Sequence, residues 1–120
     1  PIHAVNMKHT YTELKDSFRV KFKDGTCCMA VVTNKTYLRN HLGHALAVQS
    51  ESNIGAVFCA NRHVRDTYNV CLRSISDTDT IAISAAYKGG GGHRGASSFQ
   101  IPRSDLSKFK SKSKSKSADK

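Results

Sequence analysis

The 120-residue sequence contains no run of 18 apolar residues, so no membrane-spanning helix is expected. No signal-peptide pattern opens it. It also lacks any C-x-x-C pair. Cys27, Cys28, Cys59 and Cys71 therefore do not have the spacing of a zinc ribbon or a thioredoxin-type redox site. All four lie in apolar stretches, which predicts buried free thiols and an intracellular, reducing compartment. Acidic residues are scarce. There are 9 Asp and Glu against 19 Lys and Arg, for a formal net charge of +10. Such an excess favours polyanionic partners, nucleotides or nucleic acid, without implying any preference for base sequence.

The length suits one domain, and an apolar content of 38% with 23% charged residues is ordinary for a globular chain. The charge is uneven. Residues 107–120 hold Lys108, Lys110, Lys112, Lys114, Lys116 and Lys120 against Asp119, half of the whole excess. This Ser/Lys tail has too little apolar surface to offset chain entropy, so it is expected to be disordered and to add non-specific attraction to nucleic acid. At the other end, residues 1–17 are polar and aperiodic and read as a lead-in or linker. The chain opens on Pro1 and not on Met, so a processing site or the boundary of a longer polypeptide is expected there.

Between these ends, local periodicity changes repeatedly. Phe18, Val20 and Phe22 alternate with Arg19, Lys21 and Lys23, the period of a half-buried strand. Asp24-Gly25 is a hairpin signal leading to a second strand over 26–33. A helix follows, capped by Asn34 or Thr36, with Leu38, Leu42, Ala45, Leu46 and Gln49 on its inner stripe. The run 54–60 is almost wholly apolar and suits a central strand buried on both faces. Over 67–75, Tyr68, Val70 and Leu72 share one face, with Asn69, Cys71 and Arg73 on the other. Asp77 or Thr78 is expected to cap a second helix over 79–88, which the glycine run ends. A last strand over 96–101 turns Phe99 and Ile101 inward and stops at Pro102. The order β-β-α-β-β-α-β predicts an α/β or α+β domain over 18–106: a mixed five-stranded sheet with two packed helices.

The strongest functional signal is Gly89-Gly90-Gly91-Gly92-His93-Arg94-Gly95. Four glycines free the backbone to adopt positive φ and to approach a ligand, and successive N–H groups in such a turn form an anion nest. Alone, the run also suits a flexible connector. His93 and Arg94 add an imidazole donor and a bidentate fork for phosphate oxygens. The Walker pattern G-x-x-x-x-G-K-[ST] is absent, and the loop follows a helix where a Walker loop precedes one.

The stretch Ala85-Ala86-Tyr87-Lys88-Gly89-Gly90-Gly91-Gly92-His93-Arg94-Gly95-Ala96-Ser97-Ser98-Phe99 resembles the signature of the DHHA1 domain. That domain is the substrate-binding module of DHH-family phosphoesterases, RecJ-like exonucleases and nanoRNases among them, and is related to the C-terminal part of alanyl-tRNA synthetase. Ser98 replaces the usual glycine. Cys71-Leu72-Arg73-Ser74 is similar to the family's "SLRS" strand end, and Gly43-His44-Ala45-Leu46-Ala47 to its first helix. The resemblance spans about residues 18–103, and the Arg-Ser element favours the phosphoesterase branch. It implies that Gly89, Gly90, Gly91, Gly92, His93 and Arg94 hold substrate phosphate or a terminal nucleotide, with Arg73 and Ser74 beside them. From the residues alone, Arg73 is equally a solvated charge at a strand end.

DHH phosphoesterases carry their metal ions, usually manganese, on a separate preceding domain. No Asp-His-His occurs here, and Asp77 and Asp79 read as helix-capping charges. Two-metal hydrolysis needs several converging ligands, so no catalytic centre and no cofactor are expected in this chain. The expected partners are a nucleotide, short oligonucleotide or nucleic acid, and a manganese-bearing DHH catalytic domain in cis or in trans. Two rival readings differ in class. One is a stand-alone basic accessory protein that binds nucleic acid through its tail. The other is a hydrolase with a metal on His41, His44 and His93, for which the His41/His44 pair lacks an evident further ligand. His3, His9 and His63 carry no pattern.

Overall fold

A computed structural model describes residues 14–110. In chain order the elements are β1 (Phe18–Lys21), β2 (Cys27–Thr33), α1 (Arg39–Gln49), β3 (Ile54–Ala60), β4 (Thr67–Ser74), α2 (Ile81–Ser84), β5 (Gly91–His93), β6 (Ala96–Pro102) and α3 (Leu106–Phe109). Short 3-10 turns precede α1 and α3. The strands form one sheet in the order β1-β2-β3-β4-β6-β5. β2 and β3 are parallel, joined by the α1 crossover, and the other described pairs are antiparallel. The class is the mixed α+β one expected from the alternation of periods. The sheet has six strands instead of five, because part of the glycine run is itself a strand.

Side-chain alternation divides the core between the two sheet faces. One face carries Val20, Ala30, Phe58, Val70, Leu72 and Phe99, all buried, and is covered by Ile83 of α2 and Phe109 of α3. The other carries Val31, Val57, Cys59 and Cys71 and is covered by Leu38, Leu42 and Leu46. β3 contributes to both, and Ile54 through Cys59 are all buried, as its unbroken apolar run requires. α1 seats closely because Gly43 and Gly55 face each other. A Cβ on Gly55 would lie 2.3 Å from the Gly43 carbonyl oxygen and 2.7 Å from the Ala47 nitrogen. The inner stripe of α1 accordingly runs through Leu42, Gly43, Leu46 and Ala47, with Ala45 half-buried and Gln49 exposed.

Several local expectations are corrected. Neither Asn34 nor Thr36 caps α1. A 3-10 turn leads into it, and no side chain bonds its first amides. The Thr33 hydroxyl instead accepts from the Lys35 N–H at 3.0 Å. α2 is four residues long, where the sequence predicted 79–88. After Ser84 the chain tightens into turns, with Tyr87 N–H donating to Ser84 O and Gly90 N–H to Tyr87 O. Tyr87 leaves the helical path to stack on Phe99 at 4.3 Å, a gain in ring contact that a longer helix would forfeit. Asp79 does serve the start of α2, accepting from the Ile81 N–H at 2.9 Å, whereas neither Asp77 nor Thr78 is its cap. At the C-terminus, Ser107 through Phe109 belong to α3, and Phe109 is buried within an aromatic cluster, so the ordered chain continues past the predicted tail boundary. Leu14, inside the predicted lead-in, packs against the α1 side of the core. The remaining lead-in, 1–13 with His3 and His9, and the tail over 111–120 lie outside the described residues.

Candidate functional site

The second half of the glycine run folds into an edge strand. Gly89 turns the chain at φ +69°, and Gly91–His93 then pairs with β6. Gly92 has φ +140°, and a Cβ there would lie 2.6 Å from Ser97 Cα and 2.7 Å from Ala96 O. Only glycine allows β5 to lie this close to β6. Arg94-Gly95 makes the two-residue turn between His93 and Ala96, which face each other. Gly89 and Gly90 thus stay in a turn, and the outer side of the strand that follows has no neighbouring strand among the described residues.

The register sets the geometry of the site. Arg73 pairs with Ala96 across β4 and β6, and Ala96 with His93 across β6 and β5. Residues opposite one another share a face, so Arg73, Ala96 and His93 form one row. At roughly 4.8 Å per strand, the Cα atoms of Arg73 and His93 are about 10 Å apart. Among the described residues, α1 packs on β2, β3 and β4, and no helix packs on the β6–β5 half of this face. There His93 and Ser98 are exposed, and Ala96 is half-buried. The result is a shelf of small residues with a cationic side chain at its inner edge and an imidazole at its outer one.

Arg73 is aimed by its neighbours. Its Nε donates to Asn40 Oδ1 on α1 at 2.9 Å, and its Nη1 to the Leu72 carbonyl at 2.9 Å. Gly43 makes room for its stem, since a Cβ at that position would meet Arg73 Cγ at 2.5 Å. This arrangement leaves Nη2 without a protein hydrogen bond among the described residues. Arg94 is engaged differently. Its Nη2 donates to the Asp77 carbonyl at 2.7 Å, and its guanidinium pairs with the Asp77 and Asp79 carboxylates at 3.4 and 3.7 Å. It braces the hairpin against the segment before α2. Ser74 ties the same corner, its hydroxyl donating to Thr78 O and its N–H to Gly95 O.

Beneath the hairpin lies a feature that the sequence reading missed. Thr80, Ser84 and Ser97 are buried, and their hydroxyls form a chain. Ser84 Oγ meets Ser97 Oγ, Ser97 Oγ meets Thr80 Oγ1 at 2.7 Å, and Thr80 Oγ1 donates to His93 O at 3.2 Å. Donation in that order uses each hydroxyl proton once and leaves none unsatisfied. The Thr80 N–H also donates to Arg94 O at 2.7 Å. The backbone of His93 and Arg94 is therefore bolted to α2 on the side away from the shelf. The only hint in the sequence was a set of small hydroxyl residues flanking the glycines.

The other candidates do not converge. His41 and His44 lie on α1, and among the described residues no group of three or more His, Cys, Asp or Glu side chains is placed to hold a metal ion. Cys27, Cys28, Cys59 and Cys71 are free thiols, three of them buried. Burial pushes Cys28 up to about 12, with the neighbouring Cys27 adding to the rise, and pushes Cys59 up to about 11 with the help of Cys71. These groups pack the core and are not reactive nucleophiles. No described helix is long and apolar enough to cross a membrane.

The fold and site together define a mixed α+β domain with an uncovered, basic half-face beside a glycine-rich edge strand. The domain is similar to part of a pGpG-specific phosphodiesterase from Vibrio cholerae, with 16% identity and a TM-score of 0.54, over 88% of this chain and 36% of that one. An uncharacterized protein from Helicobacter pylori G27 matches over 76% of this chain and 24% of its own, at 22% identity and a TM-score of 0.49. The chain spans well under half of either protein, and at these identities the likeness is one of fold. No protein-family model and no curated protein matches the sequence.

Proposed function

We propose that this chain is the substrate-binding domain of a DHH-type phosphoesterase, a DHHA1-like module that holds the phosphate of a nucleotide or short nucleic acid. The observation that carries this reading is the row Arg73–Ala96–His93 on the uncovered half of the sheet. An aimed guanidinium and an exposed imidazole, about 10 Å apart by strand spacing, flank a floor of small residues where a phosphate fits. Gly89, Gly90, Gly91 and Gly92 let β5 form that edge, and Ser74 and Arg94 hold its turn in place. Arg94 shares its charge with two carboxylates, so the larger part falls to Arg73 and His93. The fold likeness to part of a phosphodiesterase supports a phosphoesterase context.

The donor set of the described residues does not make a manganese site. In this reading the metal and the hydrolytic step belong to a DHH domain acting in cis or in trans, and the part of this chain is to bind and orient.

The test is calorimetric titration of the chain with nucleoside monophosphates and short oligoribonucleotides. Arg73→Ala and His93→Ala should each weaken binding about tenfold or more, as expected when a hydrogen bond to a charged group is lost, and Arg94→Ala should weaken it less. Unchanged affinity in both of the first two variants would overturn the reading. Removing residues 111–120 separates it from the accessory-protein alternative. If nearly all affinity disappears with that segment, the tail and not the shelf is the binding element. The truncation must begin after Lys110, because Phe109 is part of the core.

A further inference from the structure

Among the described residues, two buried side-chain atoms have no hydrogen-bond partner: Arg19 Nε and Ser52 Oγ. Both residues line one cavity of about 400 Å³, between the C-terminal end of α1 and the β1–β2 hairpin. Buried polar groups in folded proteins are nearly always paired, so two orphans bordering the same cavity offer their hydrogen bonds to something outside the chain. The space is many times what one ordered water needs. The neighbouring Ser50 is by contrast fully used. Its hydroxyl donates to Leu46 O at 2.8 Å and accepts from the Met29 N–H at 2.9 Å.

This cavity is separate from the shelf. Arg19 pairs with Met29, Met29 with Gly55 and Gly55 with Arg73, so the four lie in one row on the α1 face. α1 seats on Gly55 and divides that row. Three strand steps of roughly 4.8 Å put the Cα atoms of Arg19 and Arg73 about 14 Å apart. The lining carries charge of both signs. Arg19 brings a guanidinium and Glu51 an exposed carboxylate, and no ion pair joins the two. Gln49 and Ser50 bring the C-terminal end of α1, the partly negative end of the helix dipole. Cys27 and Met29, at alternate positions of β2, add an apolar floor. A polyanion meets Glu51 and the helix end here, and a simple cation meets Arg19.

We propose that this cavity binds a free α-amino acid. The ligand's carboxylate accepts from Arg19 Nε and the Ser52 hydroxyl, the two donors that the chain itself leaves unpaired. Such charge-assisted bonds are the strong ones. Its ammonium lies toward Glu51 and the C-terminal end of α1, and an apolar side chain rests on Met29 and Cys27. A zwitterion answers both signs of the lining at once, which neither a plain anion nor a plain amine does. The volume is at the small end of ligand cavities, as a ligand of this size requires. Arg19 belongs to β1 and Ser52 to the turn between α1 and β3, so the bound ligand links an edge strand to the middle of the sheet.

The experiment screens the full chain against the twenty amino acids at millimolar concentration by thermal shift, then titrates any that raise the midpoint by calorimetry. Each is compared with its deaminated acid and its decarboxylated amine. At least one amino acid with an apolar side chain should bind, and both analogues should bind about tenfold more weakly or worse. Arg19→Met, which keeps the apolar stem and removes the donor, and Glu51→Gln should each cost about tenfold or more in affinity, as expected for a lost bond to a charged group. Arg73→Ala should leave amino-acid binding unchanged, because that residue lies on the far side of α1. Nucleotide affinity of Arg19→Met should match the wild type, which shows that the variant is folded and keeps this site independent of the shelf. Three results would each overturn the proposal: no amino acid binds, the deaminated acid binds as well as its parent, or Arg19→Met keeps full affinity. The first leaves the cavity to water, and the second makes it a plain anion site.

Discussion

Thr80 shows how a small hydroxyl can matter more at this site than a charged group. Its side chain is fully buried, and its hydroxyl proton ends the chain from Ser84 through Ser97 at the His93 carbonyl. Thr80→Val keeps the shape but leaves Ser97 and His93 O short of a partner in the interior. The expected cost is about 1–3 kcal/mol of folding stability, the range for a buried polar group left unsatisfied. Urea denaturation measures it, and an unchanged midpoint would show that the hydroxyl chain does not contribute. Arg94, by contrast, is well exposed and pairs with exposed carboxylates, a setting in which ion pairs are worth little. The Asp79 cap was legible because an Asp side chain bonds the amide two residues on. The partners of Arg94 were not, since they lie 15 and 17 residues upstream.

Among the elements, α1 and β5 depend on glycine for opposite reasons. Gly43 of α1 and Gly55 of β3 bring the helix down onto the strand, and that approach sets where Asn40 meets Arg73. Gly55→Ala would place a methyl group 2.3 Å from the Gly43 carbonyl oxygen and force the helix to rise. Overpacking of this kind costs roughly 1–3 kcal/mol. The same variant should weaken nucleotide binding, because Arg73 loses its rest on α1. Denaturation and titration of one sample read both effects, and lowered stability with intact binding would separate the helix from the site. On β5, glycine serves strand pairing. The sequence placed glycines between a helix and a strand and could not tell a loop from an edge strand, since four glycines carry no alternation of apolar and polar side chains. β1, β6 and α1 were legible because their apolar periods of about 2 and 3.6 residues are each satisfied by a single buried face, and β3 because its unbroken apolar run is buried on both.

At the scale of the molecule, pH sets a boundary. The Cys28 and Cys59 thiols are raised by burial to about 12 and about 11 from an ordinary 9.0. Between 9 and those values the unfolded chain loses thiol protons that the folded one keeps. Stability rises with pH only where the unfolded state binds more protons, so here it must fall. These two groups contribute nothing to pH dependence below about 8. Above 9 the denaturation midpoint should drop progressively, and Cys28→Ala should flatten part of that drop. A midpoint that holds steady to pH 11 would contradict the assignment. The net charge of +10 acts at the same scale, favouring polyanions over neutral or cationic partners across the whole surface.

The sequence by itself determined the class of fold, the central buried strand, the hairpin at Gly25 and the residues around which a phosphate site was sought. Each of these rests on local spacing or side-chain type, which a linear chain carries in full. Only the tertiary structure decided that Arg73 and His93 lie in one row, that Arg94 is tied to Asp77 and Asp79, that three hydroxyls anchor the hairpin, and that Arg19 and Ser52 from separate segments line one cavity. These are matters of strand register and of contacts between residues distant in the chain. Register across β4, β6 and β5 is fixed by the packing of both sheet faces at once, and no single segment encodes it.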